Sequence, residues 1–327
     1  MSFRETTASS FDGTRLFVRA RSGRTDAPVL LFCDGLGCDG FVFEPLWNEL
    51  TRDFEVVHFQ YRGHGRSERG PRCEVSAETF AADLLAVRRS IHRDVIVVGH
   101  SWGVQVALEA HRLDPSALEG LILVNGTSGR ATATFKNGDW LERWLPRVET
   151  WARAHPRWAR RLWRSVPSGL AVGFGRLLGD ISPSVRTDDI AAYFQHLSCL
   201  DVDFFLELLA ASGRHDSTDH LELVCVPALV IGGNLDSFTP IALSEKLASG
   251  IPSARLVVLP DTTHLLPLEA PRVLARLIEE FTAACPVGER HARESDHRES
   301  RRGDACGHLP IGSLSGDGFE GRHEFRT

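Results

Sequence analysis

Apolar positions change their period twice along the chain. Up to about residue 124, short apolar runs alternate with stretches of helical spacing. Arg15-Leu16-Phe17-Val18-Arg19 follows an Asp12-Gly13 turn and predicts a strand. Val29-Leu30-Leu31-Phe32-Cys33 is apolar throughout, as expected of a strand buried on both faces. Residues 41–50 read as a helix and 54–59 as a further strand. Phe80, Leu84, Leu85, Val87 and Ile91 recur at helical spacing within 77–91. The strongest strand, 94–98, runs through Gly99-His100-Ser101-Trp102-Gly103 into a helical pattern over 104–113, and 118–124 is the next strand. This alternation predicts right-handed crossovers and a mainly parallel sheet.

The pattern breaks over 126–223, which has no convincing strand and holds five of the seven tryptophans. Trp144, Trp151 and Trp158 recur every seven residues. A helical insertion cut by Pro146 and Pro156 is expected. Alternation then resumes with a strand at 228–231, a helix from Ile241, a strand at 255–259 and a helix over 272–282. The last 42 residues carry seven arginines and eight acids with no apolar period, which predicts a disordered polar tail. The domain reading is therefore a core of 1–125 and 224–285, a helical insertion of 126–223 and a tail of 286–327.

Composition narrows the class. Of 327 residues 43% are apolar and 24% charged, which suits a globular chain. The net charge of −6 gives no basic field for nucleic acid. No apolar run is long enough to cross a membrane, and the first residues lack the marks of a secretory leader. Seven scattered cysteines, with no Cys-x-x-Cys pair, argue against a zinc site or a disulfide framework and suit a reducing cytoplasm.

Gly99-His100-Ser101-Trp102-Gly103 is a Gly-x-Ser-x-Gly turn between a strand and a helix. Such a turn lifts the central side chain above the sheet edge, and the small flanking residues let strand and helix approach. A serine hydroxyl needs a base, and the base needs an orienting carboxylate. Asp236 follows the strand ending at Ile231, and His264 follows the strand ending at Leu259. Loops after parallel strands gather at one sheet edge, so Ser101, Asp236 and His264 can converge there. Their order along the chain is the one expected for this elbow.

An oxyanion needs two convergent N–H donors. The Trp102 amide is one candidate. The other is Leu36, between Gly35 and Gly37 in the loop after Cys33. Asp261 shares the loop of His264 and reads as a turn residue. Asn125 stands where an acid could, but an amide carries no charge. His100 should point sideways from the elbow, and His64 lies in a loop that could reach the rim.

Asp34-Gly35-Leu36-Gly37, Arg62-Gly63-His64-Gly65-Arg66-Ser67, the Ser101 elbow, Asp236 and the segment His264-Leu265-Leu266-Pro267-Leu268-Glu269-Ala270-Pro271 together resemble the α/β-hydrolase-fold family with a helical cap, over about residues 10–284. The resemblance implies a mostly parallel eight-stranded sheet flanked by helices and a serine hydrolase of the esterase or lactonase branch. Where the family usually has His-Gly, this chain has Asp34-Gly35. A carboxylate pointing inward there would oppose an oxyanion.

The expected substrate is a small to medium, largely apolar carboxylic ester or lactone, with no metal or organic cofactor. Carbon–carbon bond hydrolysis and cofactor-free perhydrolase chemistry would use the same triad. A ligand-binding receptor or degenerate scaffold is the reading from another class, with Asp34 as its one supporting feature. Asp34, His100, Trp140, Trp144 and Phe238 are candidate pocket residues. Trp151, Trp158, Trp163, Phe174, Phe194, Phe204 and Phe205 could extend an apolar lining, although such rings more often pack helices. Arginines flanking the tryptophans leave contact with a membrane surface as a lesser reading.

Overall fold

Eight strands form one sheet, β1 (Arg4–Ser9), β2 (Arg15–Arg21), β3 (Val29–Cys33), β4 (Glu55–Phe59), β5 (Val95–His100), β6 (Gly120–Val124), β7 (Ala228–Gly233) and β8 (Ala254–Leu259). Their spatial order is β1-β2-β4-β3-β5-β6-β7-β8. β2 runs antiparallel to both β1 and β4, and every other pairing is parallel. The structure, a computed structural model, describes residues 3–71, 74–165, 168–177 and 179–285, and only the backbone of residues 137, 168, 170, 171 and 174. The tail expected at 286–327, Cys73, Cys306 and the Phe174 side chain lie outside the described residues.

The helices are α1 (Glu44–Leu50), α2 (Ala77–Arg89), α3 (Trp102–Leu113), α4 (Trp140–Ala154), α5 (Pro156–Ser165), α6 (Ser168–Leu177), α7 (Thr187–Cys199), α8 (Val202–Arg214), α9 (Ile241–Gly250), α10 (Leu266–Glu269) and α11 (Pro271–Ala284). Alternate residues of the central strands face opposite layers. Leu31, Cys33, Val95, Val97, Leu121 and Leu123 pack with α2, α3 and part of α8. Leu30, Phe32, Ile96, Val98, Ile122 and Val124 pack with α1 and α11. Both faces are covered, which is why these strands read as unbroken apolar runs.

Helices α4 to α8 occupy the chain between β6 and β7. The described residues fall within one compact unit that contains this helical segment. Pro156 opens α5, where its missing N–H costs nothing. Pro146 does not cut the chain as expected but lies inside α4. Leu145 and Ala152, on either side of it, are buried with Val202, Leu206 and Ala210 of α8, and this packing carries the helix through the proline.

β1 escaped the sequence reading. Its residues Arg-Glu-Thr-Thr-Ala-Ser are largely exposed, so no apolar alternation marks it; it is an edge strand held by its pairing with β2. Among the described residues, no helix is long and apolar enough to cross a membrane, and no disulfide forms.

β3 and β5 are neighbours in register, with Cys33 beside Gly99. The chain leaves β3 for β4 on one side and later returns to β5 on the other. A crevice opens at the carboxyl ends of strands where the winding reverses in this way. The loops after β3, β5, β6, β7 and β8 all emerge along that edge.

Candidate active site

Ser101 links β5 to α3 with φ 55° and ψ −116°. A non-glycine residue holds that conformation only where its surroundings impose it. They do so by close approach. A Cβ on Gly103 would stand 2.4 Å from the Cys33 carbonyl oxygen, and one on Gly99 2.5 Å from the Gly103 oxygen. The Ser101 amide donates to the Val124 carbonyl at 3.0 Å, which ties the elbow to β6.

Three remote side chains meet there. Ser101 Oγ lies 3.0 Å from His264 Nε2. His264 Nδ1 lies 2.8 Å from Asp236 Oδ2. Asp236 also accepts from the Phe238 amide at 2.8 Å, the Thr239 amide at 2.9 Å and the Thr239 hydroxyl at 2.7 Å. Burial on its own would raise the Asp236 carboxyl. The charge and hydrogen bond of His264, with the Thr239 donors, outweigh it and hold the group below the usual carboxylate range. A carboxylate fixed this way favours the His264 tautomer with its proton on Nδ1, which leaves Nε2 able to accept from the serine.

The two loops that bring Asp236 and His264 are themselves fastened. Asn125, at positive φ just past β6, donates from Nδ2 to the Thr263 carbonyl at 2.9 Å and accepts at Oδ1 from the Gly233 amide at 2.8 Å. Glu269 takes the Thr263 amide at 2.7 Å and the Thr263 hydroxyl at 2.5 Å. The sequence presents Asn125 only as an amide where an acid could stand. Its place immediately after a buried strand was the available signal for a tether. Asp261 lies at φ 56° in an exposed turn and does not approach His264 as an acid.

The loop after β3 lies against the serine, because a Cβ on Gly35 would stand 3.2 Å from Ser101 Cβ. Asp34 is not a pocket residue. It is fully buried with its carboxylate turned away, Oδ2 2.7 Å from His58 Nε2 and Oδ1 accepting from the Gly40 amide at 3.1 Å. Arg19 Nε donates to His58 Nδ1 at 3.1 Å. A guanidinium cannot accept, so His58 Nδ1 is the acceptor there, and His58 Nε2 donates to the Asp34 carboxylate. No local pattern identified His58, which reads as one more position in β4.

His100 is buried and does not line a pocket either. Its Nε2 donates to the His264 carbonyl at 2.9 Å, and burial pushes its pKa down to about 4. His64 is buried among Tyr61, Phe204 and His196, and burial likewise pushes it to about 4. Phe238 stacks on the His264 ring with centroids 5.0 Å apart. The Trp102 indole packs on Phe80 inside the core. Trp144 is 59% exposed and Trp140 47%, because α4 turns Leu145 and Ala152 inward and leaves these rings outside. Trp163 packs on Phe205, and Phe204 is buried in the core.

Over most of its length the chain is similar to known proteins. Residues 28–271 match the family model described as alpha/beta hydrolase fold. The chain is 31% identical over 273 residues to polyketide synthase ThaQ of Burkholderia thailandensis, a match covering 81% of this chain but only 12% of that protein. It is 27% identical to the putative carbamate hydrolase RutD of Pseudomonas syringae, over 80% of this chain and 96% of RutD. Among solved structures, an esterase from Exiguobacterium antarcticum superposes with a TM-score of 0.69 at 19% identity, over 86% of this chain and all of that one. The enol-lactonase of Burkholderia xenovorans superposes at 0.66 with 22% identity, over 85% and 100%. The chain belongs to the alpha/beta hydrolase fold family and is a hydrolase.

Proposed function

We propose that this chain is a serine hydrolase that cleaves a small to medium, largely apolar carboxylic ester or lactone through an acyl-enzyme on Ser101. The observation that carries the reading is the continuous contact from Ser101 Oγ to His264 at 3.0 Å and on to Asp236 at 2.8 Å. His264 Nε2 takes the hydroxyl proton as Ser101 Oγ attacks the carbonyl carbon. Asp236 stabilises the imidazolium that forms. The proton then passes to the leaving alkoxide, and the alcohol departs. His264 next deprotonates a water, which attacks the acyl carbon and frees the acid and Ser101.

The backbone amides of Leu36 and Trp102 hold the oxyanion. In support, Trp102 opens α3, where first-turn amides have no acceptor within the helix. The Asp34 carboxylate, bound to His58, does not oppose that charge. With Asp34 turned away, the feature that favoured a non-catalytic scaffold loses its force.

Residues 126–223 act as the cap of this site. A Cβ on Gly37 would stand 2.7 Å from Leu197 Cδ1 and 3.3 Å from the Phe205 ring, so α7 and α8 lie against the oxyanion loop. Phe238, stacked on His264, lines the acyl pocket. A panel of p-nitrophenyl esters, lactones and carbamates of increasing acyl length, run with the Ser101→Ala variant, tests the proposal. Turnover of apolar esters or lactones that vanishes in the variant supports it, and turnover that persists in the variant refutes it.

A further inference from the structure

The outer face of α4 and α5 is built differently from the rest of the surface. Inside, Leu145, Ala152 and Ala159 pack on α8. Outside, Trp140, Trp144, Val148, Trp151, Trp158 and Leu162 follow one another, mostly at three- or four-residue steps, each between 42% and 59% exposed. An apolar stripe of this kind on a helix pair normally faces a partner.

Charge says which partner. Residues 139–165 hold seven arginines against three acids, a net of +4 in a chain whose total is −6. α5 alone has Arg157, Arg160, Arg161 and Arg164 and no acid. The Arg147 guanidinium lies 5.3 Å from the Trp144 ring centre. A second copy of this face would set arginine rows against one another, which is unfavourable. A bilayer with anionic headgroups satisfies both features. Indole rings settle at the boundary between headgroups and acyl chains, and guanidinium groups pair with phosphates.

The stripe also leads to the site. The Trp140 ring lies 5.4 Å from Phe135, Phe135 lies 4.8 Å from Phe238, and Phe238 lies 5.0 Å from His264, centre to centre. Apolar rings thus connect the exposed face to the imidazole that contacts Ser101.

We propose that the α4–α5 face docks peripherally on an anionic lipid surface, with its tryptophans at the acyl boundary and its arginines on phosphates. The apolar substrate enters from that surface along the Trp140–Phe135–Phe238 rings. This entry route rests on the hydrolase reading, whereas docking does not, and vesicle binding measured without turnover lets the two fail separately.

The test is co-sedimentation of the full chain with vesicles of phosphatidylcholine and phosphatidylglycerol at 3:1, against phosphatidylcholine alone. The protein should pellet with the anionic vesicles at low salt and leave them as salt rises. Arg157→Gln with Arg161→Gln should weaken binding roughly fivefold per arginine. Trp144→Ser with Trp158→Ser should weaken it at least as much. Both pairs are exposed, and an unchanged circular dichroism spectrum should accompany the loss. Absence of pelleting with anionic vesicles at low salt overturns the proposal. So does binding that neither pair alters, or a dimer in light scattering that the tryptophan pair dissolves.

Discussion

The Asp34 carboxylate lies 2.7 Å from His58 Nε2, and neither side chain is exposed to solvent. An acid therefore stands where the family usually has histidine, and a histidine on the neighbouring strand answers it. Arg19 completes the line by donating to His58 Nδ1 and to the Asp39 carbonyl at 2.9 Å. The loop after β3 is held from behind, on the side away from Ser101.

Removing that acid should be costly. Asp34→Ala leaves the His58 N–H and the Gly40 amide buried without acceptors, a loss of roughly 2–5 kcal/mol. Asp34→His, the family's usual residue, should fare no better, because it sets an imidazole against His58 with no carboxylate between them. Urea unfolding measures both. A loss below about 0.5 kcal/mol for either variant contradicts the assigned contact.

Asn125 should act through the loops it joins. Asn125→Asp keeps an acceptor for the Gly233 amide but sets a carboxylate oxygen against the Thr263 carbonyl. We expect kcat to fall about 10- to 100-fold as His264 shifts, with KM changed little. Steady-state kinetics on any ester the chain turns over give the split. An unchanged kcat would remove Asn125 from the positioning of His264.

Acid should destabilise the fold through two imidazoles. His64 and His100 are each depressed by burial from an ordinary 6.5 to about 4. Between those values the unfolded chain binds more protons, so their contribution is intact at neutral pH and declines as pH falls below about 6.5. Each should cost about 2 kcal/mol between pH 7 and pH 5. His64→Asn, which keeps a donor for the Arg62 carbonyl, should flatten the pH dependence by about one such share. Denaturation at the two pH values decides it, and an unchanged slope in the variant counts against the neutral buried ring.

Two glycines should respond oppositely to alanine. Gly103→Ala drives a methyl into the Cys33 carbonyl and should lower stability by more than about 3 kcal/mol. Among the described residues, and apart from its chain neighbours and its own helix backbone, Gly173 of α6 has no atom within 4 Å of an added Cβ, so Gly173→Ala should be neutral or stabilise by up to about 1 kcal/mol. Thermal melts of the pair compare a steric glycine with a permissive one.

The sequence made legible whatever has a local period or a local chemical signature. The buried strands showed as unbroken apolar runs, and the elbow showed as a strand, a small-residue turn and a helix. Asp236 and His264 stood out because each follows a strand end. β1 stayed hidden because a polar edge strand has no apolar alternation. Propensity marks Pro146 as a break, because the tertiary burial of Leu145 and Ala152 has no local signature. The direction of Asp34 depends on His58, 24 residues away on another strand, and no local rule reaches that far. Spacing shows that the tryptophans of α4 form a stripe and not which way it faces.

The most direct test of the central claim is covalent capture. An alkyl fluorophosphonate should react with the native chain at one serine, with the adduct on Ser101 by peptide mass spectrometry. Labelling should fall by several orders of magnitude in His264→Ala, whose circular dichroism should match the native chain. An adduct on another serine, or no labelling of folded protein under conditions that label a control serine esterase, would contradict the account.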